Sequence, residues 1–174
     1  MELNIIPECY FDTVLVKSIL QLKKVNHQNC CSKVVSTIKR IDDFAVGIVD
    51  KDKNDLDYLT KECTKEITTE NLVLWKHRIK NHYVIQLAPA IERWVLNAIN
   101  ESNIEIEDLG IPNDLEGLKK YTKHGLVSEN EEIKRLCKRL VNSNGATINT
   151  LSAWLNYLYA HNRNADINTL KEDV

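Results

Sequence analysis

Short apolar runs alternate with amphipathic stretches along the first hundred residues of the chain. The apolar runs predict strands at 3–6, around Val25, and at 44–49, 72–75 and 83–85. Between them, apolar residues recur at three- and four-residue spacing, which is typical of helices. These stretches predict helices at 10–22, 34–41, 56–67 and 91–99. The run at 44–49 is apolar throughout, as in a strand covered on both faces. The alternation therefore predicts an α/β fold with a mostly parallel sheet and helices on both its faces.

The sequence changes in character after residue 100. Residues 103–112 are acidic and typical of a loop, and three helical stretches follow. The predicted helices lie at 115–121, 133–141 and 151–159. We find no repeat, low-complexity tract or long linker that would separate them from the rest of the chain. The prediction is an α/β core at 1–100 and a helical extension at 101–174 that packs on this core.

Polar residues follow the predicted strands at their carboxyl ends. Glu8 follows the first strand, and Asp50 and Asp52 follow the third. Open α/β sheets bind their ligands in the crevice at this edge. The other polar residues that follow predicted strands are His27, His77, Arg78, Lys80 and His82. All of them are therefore expected along one edge of the sheet.

The pair formed by Asp50 and Asp52 predicts a divalent-metal site. Residues two apart in an extended strand point the same way, and a hard cation relieves the repulsion between their carboxylates. Mg²⁺ needs one or two carboxylates together with water and phosphate oxygens, and it activates water for attack on phosphorus. Glu8 would complete the site or take a proton from that water. Glu8, Asp50 and Asp52 are thus the predicted catalytic residues and ligands of Mg²⁺ or Mn²⁺.

Nearby cations are predicted to neutralise charge on the phosphate. The candidates are Lys53, His77, Arg78 and Lys80. Simpler interpretations stand beside these functional ones. Asp52 or Asn54 would cap the helix that follows, and the basic group after the fourth strand would form a solvated turn between two strands.

Two segments resemble motifs of the Toprim domain. The first, Pro7-Glu8-Cys9-Tyr10-Phe11-Asp12, is similar to the Toprim opening Glu-Gly-x-x-Asp after an apolar strand. The second, Gly47-Ile48-Val49-Asp50-Lys51-Asp52, is similar to the Toprim Asp-x-Asp motif. The helix, strand and helix predicted between them also fit that family. The resemblance covers about the first half of the chain and includes small bacterial Toprim proteins and the overcoming-lysogenization-defect nucleases of phage defence. It implies a Toprim-like, Rossmann-like fold and magnesium-dependent hydrolase activity at Glu8, Asp50 and Asp52, as in a nuclease.

The chain departs from the Toprim pattern at two places. Cys9 stands where the family has a glycine, and residues 28–33 lack the glycine of a Gly-Lys-like turn, so Lys33 is the phosphate contact expected there. The 174 residues are also too few for the further domains of topoisomerases and primases. These departures leave a second function open. It is a non-catalytic Toprim-like interaction module of a multiprotein system, such as phage defence, which holds a protein partner through its C-terminal helices.

A phosphatase of the haloacid-dehalogenase type is a third hypothesis, with Asp50 as nucleophile and Asp52 as general acid. Such enzymes place Thr or Val four residues after the nucleophile, where this chain has Asn54. Their downstream acidic pair at a strand end is missing as well. A phospho-receiver domain fits less well, because only Glu8 stands at the end of the first strand. DNA, RNA and small phosphorylated molecules all remain compatible substrates.

Composition narrows the range of partners. The chain is 43% hydrophobic and 28% charged, which is typical of a soluble globular protein. Its net charge of −2 gives no global basic field, so nucleic acid would have to bind through a local patch or a bound cation. No apolar run suits a membrane span, and no secretory signal is visible. Five cysteines without regular spacing make a poor disulfide framework. We therefore expect a cytoplasmic protein without membrane contact, in which an uncovered edge strand would allow a homodimer.

Overall fold

A computed structural model describes residues 4–51, 56–122 and 130–172 of the chain. Its strands are β1 (Asn4–Pro7), β2 (Ala45–Asp50), β3 (Cys63–Thr68), β4 (Leu72–His77) and β5 (His82–Leu87). They form a mixed sheet in the order β1-β2-β5-β4-β3. Strands β1, β2 and β5 are parallel, whereas β4 is antiparallel to β5 and β3 is antiparallel to β4. The predicted α/β class with a mostly parallel sheet is therefore confirmed.

The described residues also contain eight α-helices. They are α1 (Tyr10–Leu20), α2 (Cys31–Lys39), α3 (Asp57–Glu62), α4 (Ile91–Glu101), α5 (Leu115–Thr122), α6 (Glu131–Val141), α7 (Ala146–His161) and α8 (Ile167–Glu172). Short 3₁₀ turns lie at Glu107–Leu109 and Asn162–Asn164. None of these helices combines the length and the apolar character that crossing a membrane requires.

Two separate hydrophobic clusters cover the two faces of the sheet. Successive side chains of β2 point to opposite faces, so Val46 and Ile48 join one cluster while Ala45 and Val49 join the other. Helices α2 and α3 pack on the second face. Because both faces are covered, the strand is apolar at every position from Ala45 to Val49, and only its last residue, Asp50, is charged.

Gly47 lets α2 lie directly against β2. A Cβ atom at this position would stand 2.6 Å from Cδ1 of Ile38 and 2.9 Å from Cγ1 of Val34, both closer than real contacts allow. The glycine of the Gly47–Asp52 segment therefore has a packing role, which fixes α2 on the strand that ends in Asp50.

The first face carries α1, α4 and the C-terminal helices in one continuous core. Phe11 of α1, Trp94 of α4 and Trp154 of α7 belong to the same buried cluster as Ile5 of β1. Near the C-terminus, Lys171 also forms an ion pair with Glu66 of β3 at 2.8 Å. The residues after 101 thus share their core with the sheet and with the first helix.

The prediction of a strand around Val25 is wrong, although this segment does lie beside β1. The His27 amide donates to the Val25 carbonyl at 3.1 Å, which makes a tight local turn, while the amides of Asn26 and Gln28 donate to the carbonyls of Ile5 (3.1 Å) and Pro7 (2.9 Å). A regular parallel ladder would need the amide of residue 7 to donate in return, and proline has no N–H. The segment therefore lies along the outer edge of β1 without becoming a strand.

The predicted helix at 56–67 is wrong in its second half. Helix α3 ends at Glu62, and Cys63 begins strand β3. Cys63 and Ile67 are four residues apart, a spacing that fits a helical turn as well as one face of a strand. A register shift between Lys65 and Ile67 then places the two side chains in different clusters on opposite faces.

Candidate functional site

Glu8 and Asp50 meet where β1 and β2 end. The parallel register pairs Pro7 with Ile48, and the chain continues directly into Glu8. The Glu8 amide donates to the Ile48 carbonyl at 3.0 Å, and the Asp50 amide donates to Oε2 of Glu8 at 2.9 Å. The structure thus brings these two predicted site residues together. The third, Asp52, and the predicted phosphate contact Lys53 lie outside the described residues.

Cys9 and Asp12 form a capping box at the start of α1. The Asp12 amide donates to Sγ of Cys9 at 3.3 Å, and the Cys9 amide donates to Oδ2 of Asp12 at 3.2 Å. Cys9, which departs from the glycine of the Toprim motif, is therefore the N-cap of the helix. Asp12 is only 1% exposed, and its Oδ1 has no hydrogen-bond partner among the described residues. The box therefore holds a buried carboxylate beside the site.

Glu92 adds a further carboxylate from the far side of the site. It lies in the first turn of α4, which follows β5, and β5 is the other neighbour of β2. Glu92 lines the same pocket as Glu8 and Asp50. Glu92 could have been predicted from the sequence. An acidic residue in the first turn of a helix that follows a parallel strand lies at the carboxyl edge of the sheet.

Burial and mutual repulsion raise the pKa values of both aspartates. Burial is the largest cause for Asp50, followed by the charges of Asp12 and Glu8, while the Ile91 amide opposes the shift. Burial is again the largest cause for Asp12, where hydrogen bonds from Cys9 oppose the shift and the charges of Glu8 and Glu92 add to it. The cluster is therefore unfavourable when fully ionised, and a proton or a cation relieves it.

The donor set suits a cation that needs few protein ligands. Within the described ranges, no group of three or more His, Cys, Asp or Glu side chains is arranged to hold a metal ion. Asp50 nevertheless has a buried Oδ1 that accepts no hydrogen bond from a described residue. Mg²⁺ is bound through one or two carboxylates, with water and phosphate oxygens completing the shell. Glu8 and Asp50 meet that requirement, whereas a closed cage of protein ligands is not present in this part of the chain.

A pocket of about 370 Å³ opens over these carboxylates. Its lining residues are Glu8, Cys9, Tyr10, Phe11, His27, Asn29, Asp50, Ile91 and Glu92. The volume lies within the range of small-ligand sites. Tyr10 is one of two large hydrophobic side chains that are exposed in the described structure, at 39%. The pocket thus joins acidic groups to an exposed aromatic ring.

His27 stands in the wall of this pocket, on the sheet edge where its sequence position placed it. Its Nδ1 lies 3.0 Å from Oγ1 of Thr13, and its Nε2 lies 3.1 Å from Oδ1 of Asn29. The ring stacks on Tyr10 with centroids 4.3 Å apart. His27 was not among the predicted catalytic residues, because its partner Thr13 is not adjacent to it in the chain.

The prediction that the basic group shares this edge is wrong. The register pairs Ala45 with His82 and Asp50 with Leu87, so β5 begins at the edge opposite to Asp50. Strand β4 is antiparallel to β5, and the turn between them lies at that opposite edge. The four residues are His77, Arg78, Lys80 and His82. They form a hairpin and cannot contact a phosphate held at Asp50.

The hydrogen bonds of the hairpin agree with the simpler interpretation of a turn. Nδ1 of His77 accepts from the amides of Ile79 and Lys80, each at 3.0 Å. Arg78 donates to the Lys61 carbonyl at 2.9 Å. The remaining predicted contact, Lys33, is exposed in the first turn of α2 and does not line the pocket.

A basic groove that the sequence interpretation missed lies between α1 and α6. It measures about 520 Å³ and is lined by Val14, Lys17, Ser18, Gln21, Lys134, Lys138, Val141 and Asn142. Three of these residues are lysines, and none of the described lining residues is acidic. A second hollow of about 700 Å³ shares Lys138 and Asn142 and adds Arg135, Arg139 and the acidic Glu105. Neither hollow shares a lining residue with the pocket of Glu8 and Asp50.

Comparison with known proteins gives no relative. No protein-family model, curated protein or solved structure matches the chain. The geometry of the carboxyl edge is therefore the basis for a functional proposal.

Proposed function

We propose that the protein is a Toprim-like nuclease that hydrolyses a phosphodiester bond with Mg²⁺ or Mn²⁺ at the pocket of Glu8 and Asp50. One observation carries the proposal. Two acidic residues that are 42 residues apart in the chain meet at the ends of adjacent parallel strands, where the backbone amide of Asp50 donates to the carboxylate of Glu8. The aspartate of this pair keeps a buried oxygen without a partner among the described residues.

Each carboxylate has a distinct role in this reaction. Asp50 holds the metal, with Asp52 as the second ligand that the Toprim resemblance implies. When bound, the metal supplies Lewis-acid activation of the phosphoryl group and of water. Glu8 takes the proton from the attacking water, and its position is fixed by the Asp50 amide. Asp12 holds the first turn of α1 in place by accepting a hydrogen bond from the Cys9 amide.

The surface around the pocket favours nucleic acid over a small phosphoester. Tyr10 lies at the pocket, and Lys17 lies seven residues further along α1, about 10 Å by helical rise. Lysines that contact successive phosphates give affinity that does not depend on sequence. An exposed aromatic ring is a stacking platform for an unpaired base. A strand that lies along α1 would reach both features.

Two isosteric substitutions test the proposed chemistry. Asp50→Asn and Glu8→Gln remove one charge each and keep the size of the side chain. Cleavage of single-stranded DNA, duplex DNA and RNA is measured with Mg²⁺, with Mn²⁺ and with chelator. We expect metal-dependent cleavage by the parent protein and a loss of about 100-fold or more in each variant.

Asp57→Asn is the matched control, because this aspartate is exposed on α3 and pairs with Lys61 on the other face of the sheet. It should cleave like the parent. Variants of Asp50 and Glu8 that cut as fast as the parent protein contradict the mechanism.

A non-catalytic Toprim-like module in a multiprotein system, such as phage defence, is the second candidate. It is favoured by the bond from the Asp50 amide to Glu8, which gives this carboxylate a structural use, and by Cys9 in place of the motif glycine. On this hypothesis the C-terminal helices hold a protein partner. Stable co-purification of one defined partner, without metal-dependent cleavage by the protein or by the complex, would support it over the nuclease.

A further inference from the structure

The backbone that carries His27 is held firmly against the sheet. On either side of this residue, Asn26 and Gln28 donate their amides to the carbonyls of Ile5 and Pro7. The imidazole ring lines the same pocket as Glu8 and Asp50. The ring position is therefore determined by β1, the strand that also positions Glu8.

The hydrogen bonds of Thr13 determine which ring nitrogen carries a proton. Its hydroxyl donates to the Cys9 carbonyl at 2.8 Å. A hydroxyl has a single hydrogen, so Oγ1 of Thr13 can only accept in its 3.0 Å contact with Nδ1 of His27. Nδ1 is consequently the protonated nitrogen of the neutral ring, and it remains a donor when the ring is charged.

Nε2 is left as the nitrogen that gains and loses a proton at the pocket. Its neighbour at 3.1 Å is the side-chain amide of Asn29, which is exposed. The amide can present its oxygen to a charged ring or its NH₂ group to a neutral ring, since these differ by a half-turn. Tyr10 stacks on the ring and fixes its plane. Both protonation states therefore find a partner without movement of the backbone.

We propose that His27 is the general acid of the reaction and that it protonates the leaving oxygen from Nε2. This inference rests on the proposed nuclease function. Water gives one proton to Glu8, and its oxygen forms the new bond to phosphorus. The bond from phosphorus to the leaving oxygen breaks, its electron pair stays on that oxygen, and the Nε2 proton transfers to it. The products are a phosphomonoester and an alcohol, and solvent returns the proton to His27.

Two substitutions separate the two ring nitrogens. His27→Asn keeps an N–H donor near the position of Nδ1, within reach of Thr13, but has nothing at Nε2. His27→Gln places an amide near the position of Nε2 but transfers no proton. If His27 is the acid, both variants lose about 100-fold in the rate of DNA or RNA cleavage at saturating substrate. If its role is structural, through Thr13, His27→Asn retains the parent rate, and the proposal is overturned.

The leaving group gives the sharper test. A p-nitrophenyl phosphodiester releases a stable phenolate that needs no proton, so both variants should cleave it within about twofold of the parent rate. An equal loss on nucleic acid and on this ester would overturn the proposal, because it would show that His27 only positions the site. His161→Gln is the control, since His161 also stacks on a tyrosine, Tyr157, but lies on α7 away from the pocket.

The tautomer can be measured without any activity. Long-range ¹⁵N correlation spectra of the neutral ring should show the proton of His27 on Nδ1, and a neutral ring protonated on Nε2 overturns the inference. An inactive parent protein would overturn this proposal together with the nuclease function. An active parent whose His27 variants cleave DNA normally overturns only the role of His27.

Discussion

The two edges of the sheet differ in charge and in how completely their polar groups are hydrogen-bonded. At the carboxyl edge, Asp12 and Asp50 each keep a buried oxygen without a partner among the described residues. At the opposite edge, Nδ1 of His82 lies 3.0 Å from the hydroxyl of Tyr58, and Nε2 lies 2.8 Å from the carbonyl of Ile41. Buried polar groups are normally paired. The acidic edge, where two buried oxygens lack a partner among the described residues, is therefore the candidate for function, whereas the hydrogen-bonded His82 at the opposite edge stabilises the fold.

The strongest test of this contrast is the effect of each edge on cleavage. Asp50→Asn should reduce metal-dependent cleavage by about 100-fold or more, equivalent to about 2.7 kcal/mol of transition-state stabilisation. His77→Gln at the opposite edge should leave the rate per folded molecule unchanged, because it lies in the hairpin and cannot reach the substrate. Single-turnover rates of both variants make the comparison. A slow His77→Gln enzyme with normal stability would overturn the division into two edges.

The free energy of unfolding, unlike the cleavage rate, should depend on the edge opposite to Asp50. His82 is 1% exposed, and burial lowers its pKa, so the ring is neutral and binds Tyr58 and Ile41 at once. His82→Leu leaves both of these groups without their partner, and we expect it to lower the free energy of unfolding by about 2–3 kcal/mol. Urea denaturation measures the loss.

A double-mutant cycle that combines His82→Leu with Tyr58→Phe tests whether the lost stability comes from the hydrogen bond between these two side chains. If the network is responsible, the double variant loses less than the sum of the two single variants. Additive losses would mean that Tyr58 and His82 act independently.

The position of the basic hairpin shows what the sequence pattern leaves out. The sequence shows that strands end near Glu8 and Asp50, because an apolar run stops at each of them. Parallel strands have their carboxyl ends at the same edge of a sheet, so the two residues could be predicted to lie close together. The direction of β4 is not visible in its composition. The loop between His77 and His82 was nevertheless a usable signal, since parallel neighbours need a crossover of a dozen or more residues. Four residues permit only a hairpin, which places the turn at the opposite edge.

Other parts of the site depend on contacts between distant residues. The tautomer of His27 follows from Thr13 and from the hydrogen bond between Thr13 and Cys9, and no local pattern encodes this chain of contacts. The bulge in β3 likewise follows from pairing with β4 and changes the face on which Ile67 lies. The positions of β1, β2, β4 and β5 were thus predictable from the sequence, whereas β3, which was predicted as helix, and these pairings were not.

The pH dependence of stability sharpens the contrast between the edges. The pKa values of Asp12 and Asp50 are raised to about 7 and about 8 in the folded protein, mainly by burial. The folded state therefore keeps protons that the unfolded chain has released above pH ~4. Without metal, the free energy of unfolding should fall as the pH rises from about 4 to about 8, by about 1.4 kcal/mol per pH unit for each proton retained.

Two changes should flatten this dependence. Asp12→Asn removes one of the titrating groups, and saturating Mg²⁺ replaces the protons at the site. Urea denaturation at several pH values, with chelator and with Mg²⁺, measures both effects. A parent protein whose stability rises between pH 5 and 8 would contradict the description of the carboxyl edge.

The smallest expected effect concerns the groove that would guide the substrate to the acidic edge. Lys17 and Lys138 form no ion pair within the described part of the chain, whereas the neighbouring Lys134 pairs with Glu131. If a nucleic-acid strand lies along α1, Lys17→Glu and Lys138→Glu should each weaken binding of a labelled oligonucleotide by about three- to tenfold. Each should also reduce the salt dependence of binding by about one phosphate contact.

Lys61→Glu is the matched control for the groove, because Lys61 is exposed on α3 at the other face of the sheet. Binding is measured in chelator, so that it does not depend on cleavage. Hydrolysis of the p-nitrophenyl ester should be unchanged in both groove variants, since that substrate is too short to reach Lys17. Equal losses in all three lysine variants would indicate a general charge effect. The groove would then have no specific role, and a small phosphoester would be the better candidate for the substrate of the pocket.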